Sequence, residues 1–331
     1  MRRFFLTVFF LMVLMGAAAA GWGLWWVNQP LRMAAPPVDL SIEPGTLPRN
    51  VAQAVKDAGV DVQPDLLYLW FRVSGQGRLI KAGSYELEAG ITPTTLLAKL
   101  ARGEETLRAV TMVEGWNFRQ VRAALDKAEA LKPETRGLSD EAVMGLLGRA
   151  GQHPEGRFFP ETYNYAKGSS DVAVLRRAMR AMDKRLAEAW AQRSPQTAAK
   201  TPDEALILAS IIEKETGRAA DRPLVAAVFN NRLRVGMPLQ TDPTVIYGIG
   251  PSFDGNLRKK DLQTDTPWNT YTRAGLPPTP IAMPGRASLL AAVQPAPGGA
   301  LYFVARGDGS SQFSSSLDEH NRAVNKYQRK Q

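Results

Sequence analysis

The sequence predicts an α+β fold behind an N-terminal transmembrane helix, on three observations. An uncharged, largely apolar run fills residues 4–27, amphipathic helical patterns alternate with short strand-like stretches, and residues 205–212 are apolar on nearly every helical face. A run of that length suits a bilayer, and mixed helical and strand periods without a regular repeat give the α+β class. The expected order is an anchor, a small α+β subdomain and a larger α+β domain built round one buried helix.

As a helix, residues 4–27 would span about 36 Å at 1.5 Å per residue. Arg2 and Arg3 precede the run, so the positive-inside rule keeps residues 1–3 in the cytoplasm and sends the rest across. The chain is then expected in the cell inner membrane, single-pass, with its catalytic part periplasmic. Trp22, Trp25 and Trp26 would mark the outer interface. A cleaved signal peptide is the rival reading, because Ala17-Ala18-Ala19-Ala20 resembles a small-residue cleavage site. The run continues past these alanines to the tryptophans, which favours the anchor.

Residues 28–37 read as a proline-containing connector. Val38–Ile42 alternates like a strand, Pro44-Gly45 turns, and a helical pattern follows at Leu47, Val51, Ala54 and Val55. A second helix fits Pro64–Val73, residues 81–87 read as a strand, and Thr92-Pro93 caps a helix over 94–102. A soft boundary near 103–106 separates a region 38–104 from a domain 105–331. In the latter, 107–113 read as a strand, 118–130 as a helix, and Ser139-Asp140-Glu141 as a helix start. The aromatic stretch from Phe158 to Tyr163 suits a core, a long helix covers 171–193, and a strand at 301–305 precedes a basic closing helix from Leu317.

At 331 residues the chain has room for two compact units, and 44% hydrophobic against 22% charged residues excludes bulk disorder. Cysteine is absent, which excludes disulfides, thiolate nucleophiles and sulfur-ligated metals. His153 and His320 are the only histidines, so a zinc site or a Ser-His-Asp triad is hard to assemble, and no cofactor or metal is expected. Carboxylates remain as acid–base groups. The net charge of +9 suits an anionic partner such as an acidic wall polymer, and equally a basic solvated surface. The basic residues are dispersed and face outward by the orientation rule, which argues against nucleic acid.

Thr201-Pro202-Asp203-Glu204 has the parts of a helix start, and the apolar run 205–212 ends in two glutamates. Leu208, Ile211, Ile212 and Glu215 fall at i, i+3, i+4 and i+7, so Glu215 prolongs an apolar stripe, where desolvation raises a carboxyl pKa. A protonated carboxyl there can act as a general acid. Glu213 lies about 200° round the helix and cannot face Glu215 as its catalytic partner. The triplet Glu213-Lys214-Glu215 also fits the solvated last turn of a buried helix, and periodicity alone does not choose.

The segment Ala209-Ser210-Ile211-Ile212-Glu213-Lys214-Glu215-Thr216 resembles the signature of endolytic murein transglycosylases of the MltG (YceG-like) family. Further blocks are similar: the continuous stretch 228–248, Asn269-Thr270-Tyr271, Gly275-Leu276-Pro277-Pro278, Val113-Glu114-Gly115, Phe159-Pro160-Glu161-Thr162 and Leu301-Tyr302-Phe303-Val304.

The resemblance implies a lyase that cleaves the MurNAc-GlcNAc bond of nascent peptidoglycan to 1,6-anhydro ends and so terminates strands, with Glu215 as the acid. It implies a LysM-like character for 38–104, and peptidoglycan glycan strands as the partner, with peptidoglycan synthases a further candidate. Gln240, Thr241, Asp242, Thr244, Tyr247, Asn269, Tyr271 and Glu213 are the substrate-binding candidates, since amide, hydroxyl and aromatic groups suit a polar sugar. Each equally fits a turn or packing role, and Asp242-Pro243 a helix cap. A non-catalytic wall-binding scaffold for synthases and a glycoside hydrolase using a second carboxylate, Asp242 or Glu161, stay open.

Overall fold

In the computed structural model, which describes residues 2–33 and 36–328, the chain forms two compact units, Met1–Arg108 and Ala109–Gln331. Met1 of the expected cytoplasmic segment, Ala34 and Ala35 of the connector, and residues 329–331 lie outside the described residues. Helix and sheet are mixed, as the α+β reading expects.

The first unit opens with α1 (Arg2–Trp26), in which Leu6–Trp26 is long and apolar enough to cross a membrane. β1 (Arg32–Met33), β2 (Val38–Ile42), α2 (Pro48–Asp57), β3 (Val60–Asp61), α3 (Pro64–Val73), β4 (Gly83–Leu87) and α4 (Pro93–Arg102) follow. β1 pairs antiparallel with β3 and β2 with β4, Leu40 lying opposite Tyr85. Alternation along β2 turns Val38, Leu40 and Ile42 inward onto Val55, Leu67, Phe71 and Leu97.

Part of the segment read as a connector carries structure. Leu31 is buried, its N–H donates to the Ile91 carbonyl at 2.8 Å, and β1 is paired. α1 is also clamped at its end, because the Val27 carbonyl accepts from both the N–H and the hydroxyl of Thr94, at 3.1 and 2.9 Å.

α4 starts as its sequence predicts. The Thr92 hydroxyl accepts the Thr95 N–H at 3.2 Å while the Thr95 hydroxyl accepts the Thr92 N–H at 2.8 Å, satisfying two donors that a bare helix end leaves open. Thr92→Ala should therefore cost about 1 kcal/mol, read as faster amide exchange across α4.

β5 (Leu107–Thr111) leads into the second unit, which continues through α5 (Phe118–Lys127), α6 (Asp140–Leu146), β6 (Thr162–Ala166), α7 (Asp171–Ala191) and α8 (Pro202–Glu215). Next come α9 (Arg222–Arg234), α10 (Asp242–Ile249), α11 (Lys259–Gln263), α12 (Arg286–Val293), β7 (Tyr302–Ala305), β8 (Ser311–Ser314) and α13 (Leu317–Tyr327). β5 pairs with β6, and β7 with β8 antiparallel. One core gathers Phe118, Val121, Phe158 and Leu175, with Phe118 and Phe158 stacked at 5.1 Å.

The other core surrounds α8, whose Leu208, Ile211 and Ile212 are fully buried among α7, α9 and α12. Thr201 caps α8 by accepting the Glu204 N–H at 3.1 Å. The Glu204 carboxylate takes the Lys200 N–H at 2.6 Å, so the reciprocal half of a capping box falls one residue upstream of its usual donor.

Candidate active site

α8 delivers Glu215 as its last residue, directly after the buried stripe. Its Oε2 accepts the Thr241 hydroxyl at 2.7 Å. Burial holds the Glu215 carboxyl above its ordinary range; the Thr241 hydrogen bond opposes this, the nearby Asp242 charge adds to it, and Arg232 opposes it. The C-terminal end of a helix also disfavours negative charge. The outcome is a carboxyl kept ready to hold a proton, with Oε1 as the oxygen that Thr241 leaves open.

Thr241 reaches Glu215 because the backbone turns sharply just before it. Gln240 adopts φ +50°, in the left-handed region, and its N–H donates to the Thr270 carbonyl at 3.1 Å. The Thr241 N–H donates to the Thr270 hydroxyl at 3.2 Å, and Thr244 and Thr270 share a 2.8 Å hydroxyl contact. Arg232 holds the same turn from beneath. Its guanidinium donates to the carbonyls of Pro238 (3.2 Å), Leu239 (2.9 Å) and Leu301 (2.7 Å), and to the Gln240 side-chain oxygen (3.3 Å).

α9 thus breaks the usual apolar pattern for a reason. Asn230, Asn231 and Arg232 are consecutive and all buried, each bonded to a loop: Asn230 accepts the Ala198 N–H at 2.6 Å, and Asn231 donates to the carbonyls of Gly298 and Ala300.

The substrate-binding candidates separate into groups. Thr241, Asp242, Thr244 and Tyr271 gather with Glu215, the Tyr271 hydroxyl donating to Asp242 Oδ1 at 2.6 Å. Asp242 is the first residue of α10, but Thr241 holds the N-cap position and no side chain caps the helix, which corrects the reading of Asp242 as a cap. Gln240 is exposed at the rim, and Tyr271 is half-buried.

Thr244 and Asn269 are 0% exposed, and their polar side-chain atoms bond inside the protein. Asn269 donates to the carbonyls of Asp261, Leu262 and Thr264 and accepts the Tyr271 N–H, so it shapes the loop that presents Tyr271.

Tyr247 turns elsewhere, donating to Glu155 Oε2 at 3.0 Å and meeting Trp268 edge-on at 5.5 Å. Glu213 faces away from Glu215, accepting the Gly285 N–H at 2.9 Å with Arg222 4.0 Å off.

Several residues escaped the sequence reading. Arg232 lies in the stretch 228–248, and its charge in a largely buried helix is the usable signal. Glu155, whose carboxyl burial pushes up to about 7, accepts the Phe118 N–H at the start of α5. Glu114 is raised by burial and by Glu213, and packs so close to Gly285 that a Cβ there would lie 1.8 Å from Glu114 Oε1. Among the described residues, no three His, Asp or Glu side chains cluster as a metal-ligand set.

Fold and site together define a class: an α+β protein whose buried central helix presents one desolvated carboxyl, tied by a single hydroxyl, at the rim of a polar turn. The chain belongs to the YceG-like family, whose model matches residues 40–326.

It is 32% identical to the endolytic murein transglycosylase of Bacillus subtilis, over 88% of this chain and 84% of that one. Against the endolytic murein transglycosylase of Streptococcus pneumoniae it is 26% identical, over 87% of this chain but 58% of that one. A crystal structure of a YceG-like protein from Listeria monocytogenes superimposes with a TM-score of 0.54 at 28% identity, covering 86% of this chain and 98% of that one.

Proposed function

We propose that this chain is a lytic transglycosylase that cleaves peptidoglycan glycan strands internally, with Glu215 as its acid. The observation that carries this is the desolvated Glu215 carboxyl with Oε2 taken by Thr241 and Oε1 left to a substrate. Relatives named endolytic murein transglycosylases support the substrate class.

Glu215 first protonates the oxygen between MurNAc and GlcNAc, and the bond from MurNAc C1 to that oxygen breaks as cationic character develops at C1. The carboxylate then takes the proton of the C6 hydroxyl, whose oxygen attacks C1 and closes a 1,6-anhydro ring. No water is consumed, and one carboxyl serves both steps because the nucleophile belongs to the substrate. Gln240 and Tyr271 are placed to contact the sugar, while Thr244 and Asn269 hold the turn. α1 serves as a single-pass anchor with a cytoplasmic N-terminus, keeping the site near nascent strands, where cutting terminates elongation. The 38–104 region adds LysM-like glycan binding, and synthases are the partners such a location brings close.

Mass spectrometry of glycan strands treated with the purified full chain in detergent tests the reaction. Fragments with anhydro ends and no added mass are expected; fragments heavier by one water would mean a hydrolase, and uncut strands would overturn catalysis.

Thr241→Val tests the carboxyl's environment. The Thr241 bond favours the charged form of Glu215, so its loss should raise the pKa further. The alkaline limb of the activity profile should move to higher pH, while turnover falls about tenfold as the carboxyl loses its fixed orientation.

A further inference from the structure

α3 carries two apolar stripes where a surface helix needs one. Leu67 and Phe71 form the first and are wholly buried in the core of their unit. Leu66, Leu69, Trp70 and Val73, at i, i+3, i+4 and i+7, form the second on the adjoining face. Leu69 is 53% and Val73 72% exposed, so among the described residues none covers this end of the second stripe.

The stripe lines one wall of a groove of about 400 Å³. The other wall is α1 itself, through Ala19, Ala20, Gly23 and Leu24 in its last two turns. Small residues on that face of α1 leave the room. Among the described residues no charged side chain lines the groove, and the Trp70 indole N–H is already committed to the Pro93 carbonyl at 3.2 Å. The walls are held together by the Thr94 clamp on the Val27 carbonyl and by packing of Trp26 against the core.

We infer that this groove is a seat for an acyl chain of the bilayer's outer leaflet, and that α3 rests on the membrane through Leu69 and Val73. The inference rests on α1 being a membrane span. Given that, residues 19–24 lie within about 12 Å of the helix end, at the level where acyl chains approach the headgroups. The lipid-facing surface of α1 is continuous with the α3 stripe, so lipid is already the neighbour of one wall. An apolar face of this kind is unfavourable in open water, and contact with lipid would remove it from water.

The absence of cysteine makes the test direct. Single variants Val73→Cys and Leu69→Cys, with Leu24→Cys in the span and Val235→Cys on an exposed site of the second unit, are labelled with a polarity-sensitive fluorophore. The full chain is reconstituted in phosphatidylcholine vesicles with and without chain-brominated lipid. Loss of most emission at positions 24, 69 and 73, but not at 235, is the expected result. Quenching at 24 alone overturns the groove while leaving the anchor standing. No quenching at 24 overturns the anchor reading itself. Blue-shifted but unquenched emission at 69 and 73, with energy transfer between labelled copies, would assign the face to a second chain and also overturn the inference.

Discussion

Glu215→Gln should abolish glycan cleavage, by about 10³-fold or more, because one general acid contributes 10²–10⁴-fold and this carboxyl serves both proton transfers. Gln preserves shape and can still accept the Thr241 hydroxyl, so the loss isolates the proton. The fold should be at least as stable as before at neutral pH. Burial raises the Glu215 carboxyl above its unfolded value, so ionisation costs the folded state stability. That cost is absent below the unfolded pKa, grows as pH rises toward the folded one, and is complete above it. Gln never ionises and escapes it. In the wild type, activity should fall on the alkaline side as the acid loses its proton, a limb reporting the raised carboxyl. Strand cleavage followed by mass spectrometry, with unfolding measured in parallel at neutral pH, checks both halves; an active Gln variant would exclude Glu215 as the acid.

Arg232→Leu carries the second large effect. The guanidinium satisfies the carbonyls of Pro238, Leu239 and Leu301 and lies 5.3 Å from the centre of the Tyr302 ring. Leucine would strand those carbonyls with little water to replace the donor, a loss of about 3–5 kcal/mol. Amide exchange in α9 should quicken by about two orders of magnitude or more, which reads this unit alone. Activity should fall with it, since the turn that aims Thr241 at Glu215 loses its support. Arg232→Lys should recover only part, because an ammonium cannot reproduce the planar fork. Unchanged exchange in the leucine variant would mean that the turn supports itself.

Much of the fold was legible because its signals are local. Proline at the first helical position and the apolar spacing of Leu66, Leu67, Trp70, Phe71 and Val73 place α3 at Pro64–Val73, and Thr92 announces α4. The strands β1 and β3, two residues each, carry no period, and β8 is Ser-Gln-Phe-Ser, with a single apolar residue. α9 hides because three buried polar residues in a row contradict the amphipathic rule that would reveal it.

The site divides in the same way. The helix stripe leads to Glu215 but fits a solvated last turn equally, and only the motif resemblance singles the residue out. Its bond to Thr241 spans 26 positions and depends on a left-handed turn at Gln240, which nothing in a glutamine signals. Asn269 suits a sugar or a loop by chemistry alone, and nothing in its sequence neighbourhood signals the full burial and loop bonds it has in the fold.

The clamp at the end of α1 bears on how this chain can be cut and grafted. Leu31 belongs to the core of the first unit, Val27 is buried, and Trp26 packs against that core. Interchanging the span with one from another protein should therefore preserve folding only if the splice falls upstream of these residues. A fragment beginning at Val38 forfeits the hydrophobic plug they supply, whereas one beginning near Gly21 retains it. The junction behaves as a weld rather than a tether.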